Sequence, residues 1–328
     1  MAMAHWFDLS FNKDTSQKKL LFKIKFLHVD SLFLKEKYSD LKMDSSDDKK
    51  NEFLEEREKN KIFFDDLFKK YNFDYKIINL ENVLNLDYKD FNNNNNNNLP
   101  EDKEEILFSQ KNLEATNFTL IEKYLKINEN IIKLGSFDTD FNKILTRNLI
   151  IYYSKIHKFN KIIYGNSGQS LVSKVFASVI KGRGFTAKEE ISYVDTRFCN
   201  GSPIILRPMK DFLDKEILLF NYINKVELLF NTLEIDLKRY GQKHSIPFKG
   251  NTDNLIDCFF DNLQNKMPST ITTVMGTADK LMERKVAQKN NLDDLQKLNE
   301  NICEFCLSYI DELYNILEIG SLDSVKNE

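Results

Sequence analysis

Three short segments combine glycine, hydroxyl and cationic side chains as an anion-binding turn does. The first, Gly165 to Ser170 (GNSGQS), follows an apolar run and opens a helical pattern. Gly165 and Gly168 permit close backbone approach, and Ser167, Gln169 and Ser170 offer hydroxyl and amide groups where unpaired N–H groups would meet a phosphate. The same residues serve equally as an ordinary strand-to-helix turn with a capping serine. The loop carries no carboxylate to hold magnesium or act as a base. The second segment, Lys181 to Gly184 (KGRG), places Arg183 in a glycine turn beside Lys181, suited to an RNA phosphate or a partner carboxylate, or else to a helix stop with a solvated arginine. In the third, Arg207 to Lys210 (RPMK), a cation ends an apolar run and Pro208 starts a helix, a place for an anion or for a structural carboxylate such as Asp195.

Cys303 and Cys306 form one C-x-x-C, half of a four-ligand zinc site that Cys258, Cys199, a histidine or another chain would have to complete. Two cysteines one turn apart on a helix face are the alternative. The four histidines, His5, His28, His157 and His244, stand in no H-E-x-x-H or nucleophile–base pattern.

These loops need strands and helices to hold them. Leu20 to Val29 alternates, with Phe22, Ile24, Phe26 and His28 on one face, and predicts a strand ending at Asp30. The first half of the charged segment 39–60 reads as a solvated loop, before Ile62, Phe63 and Leu67 start a helical pattern. Tyr75 to Leu80 predicts a second strand, and Glu81 to Leu86 a helical turn. Residues 85–105, with seven asparagines from Asn92 to Asn98, predict a disordered surface insertion. Apolar residues from Phe141 to Ile156 recur at three and four and predict an amphipathic helix up to Phe159. Lys161 to Tyr164 then predicts a buried strand, Leu171 to Ile180 a helix stopped at Gly182, Pro203 to Leu206 a strand, and Phe212 to Phe220 a helix, with Asp211 and Glu216 as a helix cap and a solvated or paired charge. Alternating strands and helices imply an α/β domain with a parallel sheet and helices on both faces. Beyond Lys225 the pattern is helical, with a loop at 244–254 and a charged helix pair from Thr277 to Glu318. The expected division is an α/β domain over 1–265 and a helical C-terminal segment over 266–328.

The 328 residues carry 47 Lys+Arg against 50 Asp+Glu, a net charge of −3 that excludes a uniformly basic nucleic-acid-coating protein. With 41% hydrophobic and 12% aromatic residues, full-length disorder is excluded. No apolar run approaches the ~20 residues of a membrane span. Scattered cysteines and an N-terminus without a secretory pattern point to the cytosol.

Three blocks resemble the cytoplasmic tRNA 2-thiolation protein 2 family: KIIYGNSGQSLVSKVFASVIKGRG (161–184), PIILRPMKDFLDKEILLFN (203–221) and MPSTITTVMGTADKL (267–281), followed by Cys303 and Cys306. The resemblance implies an ATP pyrophosphatase-type (adenine nucleotide α-hydrolase-like) fold. It also implies a role in 2-thiolation of the wobble uridine, 5-methoxycarbonylmethyl-2-thiouridine, in tRNA for lysine, glutamine and glutamate. The partners it implies are a catalytic thiolase subunit in a heterodimer, tRNA and, indirectly, a thiocarboxylated ubiquitin-related sulfur carrier, with no membrane and no DNA. Catalytic relatives place a Ser-Gly-Gly-x-Asp-Ser loop on the ATP phosphates; this sequence contains nothing like it, so ATP is not expected and a non-catalytic subunit is. The family pattern also has a C-x-x-C region, a strand and its loop ahead of the point where Met1 falls.

On this reading Gly165, Ser167, Lys181, Arg183, Arg207 and Lys210 are the phosphate or tRNA contacts, no residue is catalytic, and Cys303 with Cys306 are the zinc ligands of an incomplete site. Two other readings stand beside it: an ATP-dependent tRNA sulfurtransferase using Gly165 to Ser170 as an unusual nucleotide loop, and an interaction module that kept the fold without the pathway.

Overall fold

The structure, a computed structural model, describes residues 3–4, 7–8, 23–34, 47–71, 73–85, 116–132, 137–184, 190–196, 203–226, 252–267 and 269–280. Chain contacts divide it into two compact units. The first is built on β1 (Lys25–Asp30), α1 (Asp47–Tyr71), β2 (Asp74–Asn79), α2 (Phe118–Ile132) and α3 (Phe137–Ile156), with α5 (Asp214–Ile223). The second holds β3 (Lys161–Ile163), α4 (Gly168–Ile180), β4 (Val194–Asp195), β5 (Ile204–Leu206) and α7 (Ser269–Lys280). Helix α6 (Thr252–Lys266) starts in the first unit and runs into the second.

In the first unit β1 and β2 pair in parallel, from Lys25 opposite Asp74 to Asp30 opposite Asn79. A parallel pair needs a crossover, and α1 supplies it. The alternation expected for β1 is present: the Phe26 ring lies 4.9 Å from Phe68 of α1 and His28 lies 4.4 Å from Phe64. On the opposite face Lys25 stands over the Tyr153 ring of α3 at 5.9 Å. Helices therefore cover both faces of this strand pair, as the sequence pattern implied. The 3₁₀ turn Leu80–Asn85 replaces the expected helical turn after β2 almost residue for residue.

Helix α1 corrects the sequence reading. It begins at Asp47, inside the segment assigned to a solvated loop, and its buried stripe is Phe53, Phe64, Leu67, Phe68 and Tyr71. The stripe position between Phe53 and Phe64 is occupied by Arg57, whose side chain is only 11% exposed. A buried arginine on the core face hides the helical period from any count of apolar residues. Asp47 and Asp48 in the first turn and Lys69 and Lys70 in the last complement the helix dipole.

In the second unit β3 pairs with β5 in parallel, as expected, whereas β4 joins the other edge of β5 antiparallel, with Asp195 opposite Ile205. The described strands thus form two small sheets with one antiparallel edge, where the sequence implied a single parallel sheet. Two residues are too few for β4 to show an alternation. Helix α4 packs on α7, and Phe176 of α4 meets Phe260 of α6 edge to face at 4.9 Å. The expected loop at 244–254 gives way to α6 at Thr252, and the expected helix start at Thr277 lies inside α7. The asparagine run, Cys199, Cys303, Cys306 and the segment 281–328 lie outside the described residues. Among those described, no helix is long and apolar enough to cross a membrane.

The core of the first unit closes around Phe33, which is fully buried and meets Tyr124 edge to face at 5.0 Å. Phe33→Ala should cost about 3–5 kcal/mol of stability through lost burial and a residual cavity. Urea unfolding of the variant beside the parent chain checks this; a loss below about 1 kcal/mol would contradict the packing described.

Candidate functional site

The turn from β3 into α4 is ordered by a cap. Ser167 is extended at φ −74° and ψ 163°, and its hydroxyl accepts from the Ser170 N–H at 3.2 Å. Ser167 is buried, and Gly165 is exposed at the start of the turn. One hydroxyl of the anion-binding set is therefore committed to the helix start. Gln169 is buried and its amide donates to the carboxylate of Asp261 on α6, while its Oε1 has no hydrogen-bond partner among the described residues. The sequence reading missed Asp261, which lies 92 residues further along the chain and in no motif with the loop. The carboxylate absent from the loop is supplied beside it by another helix.

The Lys181 to Gly184 turn is a helix stop. Gly182 takes φ +76°, its N–H donates to Val179 O at 3.0 Å, and the Arg183 N–H donates to Ser178 O at 2.7 Å. This paired closure satisfies the last carbonyls of α4, and only a residue comfortable in the left-handed region fits at position 182. Lys181 and Arg183 are each half-buried on either side of the glycine. Behind them Ser178 donates to the Glu190 carboxylate at 2.9 Å.

Arg207 and Lys210, expected as phosphate contacts, are both buried. Arg207 is 7% exposed; its guanidinium donates to Asp195 Oδ2 at 3.2 Å and to the Ser192 carbonyl at 2.9 Å. The structural carboxylate weighed for this arginine is the partner observed. Its backbone N–H also donates to Tyr193 O at 2.9 Å, so the RPMK turn is tied to the β4 edge by main chain and side chain. Lys210 is buried with its ammonium 4.8 Å from the Tyr193 ring centroid, within cation–π range. Tyr193 donates to Asp211, and Glu216 accepts from the Leu213 N–H at 2.8 Å as the cap of α5, so the cap expected of Asp211 is supplied by Glu216.

In the first unit the structure brings together a cluster that no motif announced. Arg57 donates from Nε to Asp30 Oδ2 at 2.6 Å, from Nη1 to Glu81 Oε1 at 2.9 Å and to Thr116 Oγ1 at 2.7 Å, and from Nη2 to Glu81 Oε2 at 3.1 Å. Asp30 also accepts from the Leu32 N–H at 2.9 Å. Burial pushes the Glu81 carboxyl above the ordinary carboxylate range, with Arg57 pulling against it. Burial likewise lowers His28, against a smaller opposing pull from Asp30. Cys258, on α6, is partly exposed and has no disulfide partner among the described residues. Among the described residues no group of three metal-ligating side chains occurs.

Residues 251–318 match the family model described as cytoplasmic tRNA 2-thiolation protein 2. Curated proteins of that name resemble the chain: one from Danio rerio is 28% identical over 185 residues, 56% of this chain and 35% of that protein. One from Mus musculus is 30% identical over 152 residues, 46% and 28% of the two chains. One from Saccharomyces cerevisiae is 26% identical over 230 residues, 64% and 46%. The matches thus span about a third of the first of these relatives. Among solved structures, the U34-tRNA thiolase NcsA from Methanococcus maripaludis with its [4Fe-4S] cluster superimposes at TM-score 0.47 with 12% identity, covering 94% of this chain and 72% of that one.

Removing Arg57 would leave two carboxylates facing one another in the core. Arg57→Met should cost about 3–5 kcal/mol. Glu81 titrates above its unfolded value, so its favourable contribution is present below the ordinary glutamate pKa and lost as pH rises through the raised one. The deficit of Arg57→Met should therefore shrink as pH falls toward that ordinary value, and adding Glu81→Gln should recover part of it at neutral pH. Urea melts across a pH series test both; a deficit independent of pH would show that Glu81 does not carry the effect.

Proposed function

Taking as premise a chain related to the cytoplasmic tRNA 2-thiolation protein 2 family, we propose that it is the non-catalytic subunit of a tRNA thiolase complex. In this role it supports 2-thiolation of the wobble uridine, 5-methoxycarbonylmethyl-2-thiouridine, in tRNA for lysine, glutamine and glutamate. It pairs with a catalytic thiolase subunit, which takes sulfur from a thiocarboxylated ubiquitin-related carrier, and works in the cytosol. The observation that carries the non-catalytic reading is the β3–α4 turn. There Ser167 is spent on capping a helix, and the loop itself offers Asn166 and Gln169 where adenylation would require phosphate and magnesium contacts. The support for the pathway is the family match at 251–318 together with the relatives.

The tRNA-facing residues of this proposal narrow to the turn at the end of α4. Lys181 and Arg183 flank Gly182 there, whereas Arg207 is held by Asp195 and acts by fixing the neighbouring turn. Gly165, exposed at the other end of the helix, offers backbone approach to the same class of ligand. The Cys303 and Cys306 pair is assigned to a zinc site shared with further ligands. A second reading, a nucleotide-using sulfurtransferase, draws on Asp261 beside Gln169, the carboxylate such a loop would need.

A mercury-affinity gel of the lysine, glutamine and glutamate tRNAs from cells lacking this gene tests the proposal. Loss of the thio-dependent shift, restored by re-expressing the 328 residues, is the expected result, and an unchanged shift in the deletion would sink the thiolation reading. Lys181→Glu with Arg183→Glu should weaken tRNA retention by the complex and lower its salt slope by about 1 for each phosphate contact removed. Equal retention across a salt series would take both residues off the RNA surface. Calorimetric titration with ATP and magnesium separates the second reading, which requires saturable binding that Asp261→Asn abolishes.

A further inference from the structure

The outward face of α5 is apolar where a solvated helix would carry charges. Leu218, Leu219, Tyr222 and Ile223 are 49%, 59%, 83% and 67% exposed, and Phe212, just ahead of the helix cap, is 49% exposed. The helical period sets Leu218 one turn from Tyr222 and Leu219 one turn from Ile223, so the four side chains form one stripe. Asn221, buried, and Ile217, Phe220 and Asn224, half-buried, lie on the opposite side of the helix. The stripe therefore points to solvent, and among the described residues no other helix or strand packs broadly on α5. Exposed apolar surface concentrated in this way marks an interaction site.

The stripe is self-complementary about its middle. Leu218 and Leu219 form the centre, and Lys215 lies as far before it as Tyr222 lies after it, both of them exposed. Asp214 opens the helix, and Lys225 stands exposed just past its end, at φ 51° with its N–H on Tyr222 O at 3.2 Å. A two-fold axis through the centre carries each residue of one end onto the other end of a second copy. Two helices so related run antiparallel, which sets leucine on leucine, Lys215 against the ring of the second copy's Tyr222, and Asp214 opposite Lys225 at both rims. Their dipoles then also oppose one another favourably. A parallel pairing would instead set Asp214 against Asp214 and Lys225 against Lys225. A lipid surface is a poorer match, because Asp214 and Glu216 border the same face. Five such side chains offer on the order of 500 Å² per copy, against about 800 Å² per partner in a standard interface, which sets the affinity of a weak dimer.

We infer that the outward face of α5 is a contact between two copies of this chain, paired antiparallel about Leu218 and Leu219. The inference does not depend on the thiolation role. Sedimentation velocity of the full chain over a concentration series tests it. The expected result is a reversible dimer with a Kd of roughly 10–100 μM, weakened roughly tenfold or more by Leu219→Asp and by Tyr222→Ser. Asp214→Lys alone and Lys225→Asp alone should each weaken it about fivefold at low salt, because each puts like charges together at both rims. An equimolar mixture of these two variants should recover the dimer to within about twofold of the parent, since each rim of the mixed pair again joins opposite charges. A chain that stays monomeric throughout the series overturns the inference. So does a dimer indifferent to Leu219→Asp and Tyr222→Ser while circular dichroism shows both folded, or a mixture no better paired than either charge variant alone. A chain monomeric by itself that loses binding to a different protein on Leu219→Asp overturns it as well, because the face then belongs to that protein.

Discussion

One guanidinium organises the first unit. Arg57 sits on the core face of α1, Asp30 ends β1, Glu81 opens the turn after β2, and Thr116 precedes α2. These four groups come from four separate segments, so a single planar donor ties the crossover helix to the ends of both strands it connects. The arrangement is costly to assemble, since taking three charges out of water is repaid only by hydrogen bonds with good geometry. The bidentate contact to Glu81 and the short bond from Nε to Asp30 supply that geometry, which a lysine could not reproduce. The strand ends and the helix between them inherit their positions from this contact.

The second unit applies the same device to shorter elements. Strands of three, two and three residues make few ladder bonds, too few to hold an antiparallel edge by themselves. The Arg207–Asp195 pair and the bond from Arg207 N–H to Tyr193 O fasten β4 to the end of β5, and Lys210 closes over Tyr193. Residues that look like ligand contacts in the sequence are in this way fasteners of a sheet edge. At the glycine stop of α4, Lys181 and Arg183 flank an exposed Gly182, each half-buried.

Much of the framework was legible because it follows local periodicity. The strand ending at Asp30 and the helix through Leu145 and Leu149 carry their own patterns of two or of three and four, the helix of Leu171 to Ile180 adds a stop at Gly182, and the strand at Ile204 to Leu206 is a short apolar run. The sequence by itself also determined the family resemblance, since that lies in ordered residue blocks. Only the tertiary structure decided which charges are spent. Arg57 was invisible because a cation on a helix reads as solvated unless the carboxylates that bury it are in view, and Asp30 and Glu81 lie 27 and 24 residues away. Arg207 and Asp261 follow the same reason: whether a charged side chain meets solvent, a ligand or a buried partner depends on contacts between distant segments, which local spacing does not encode.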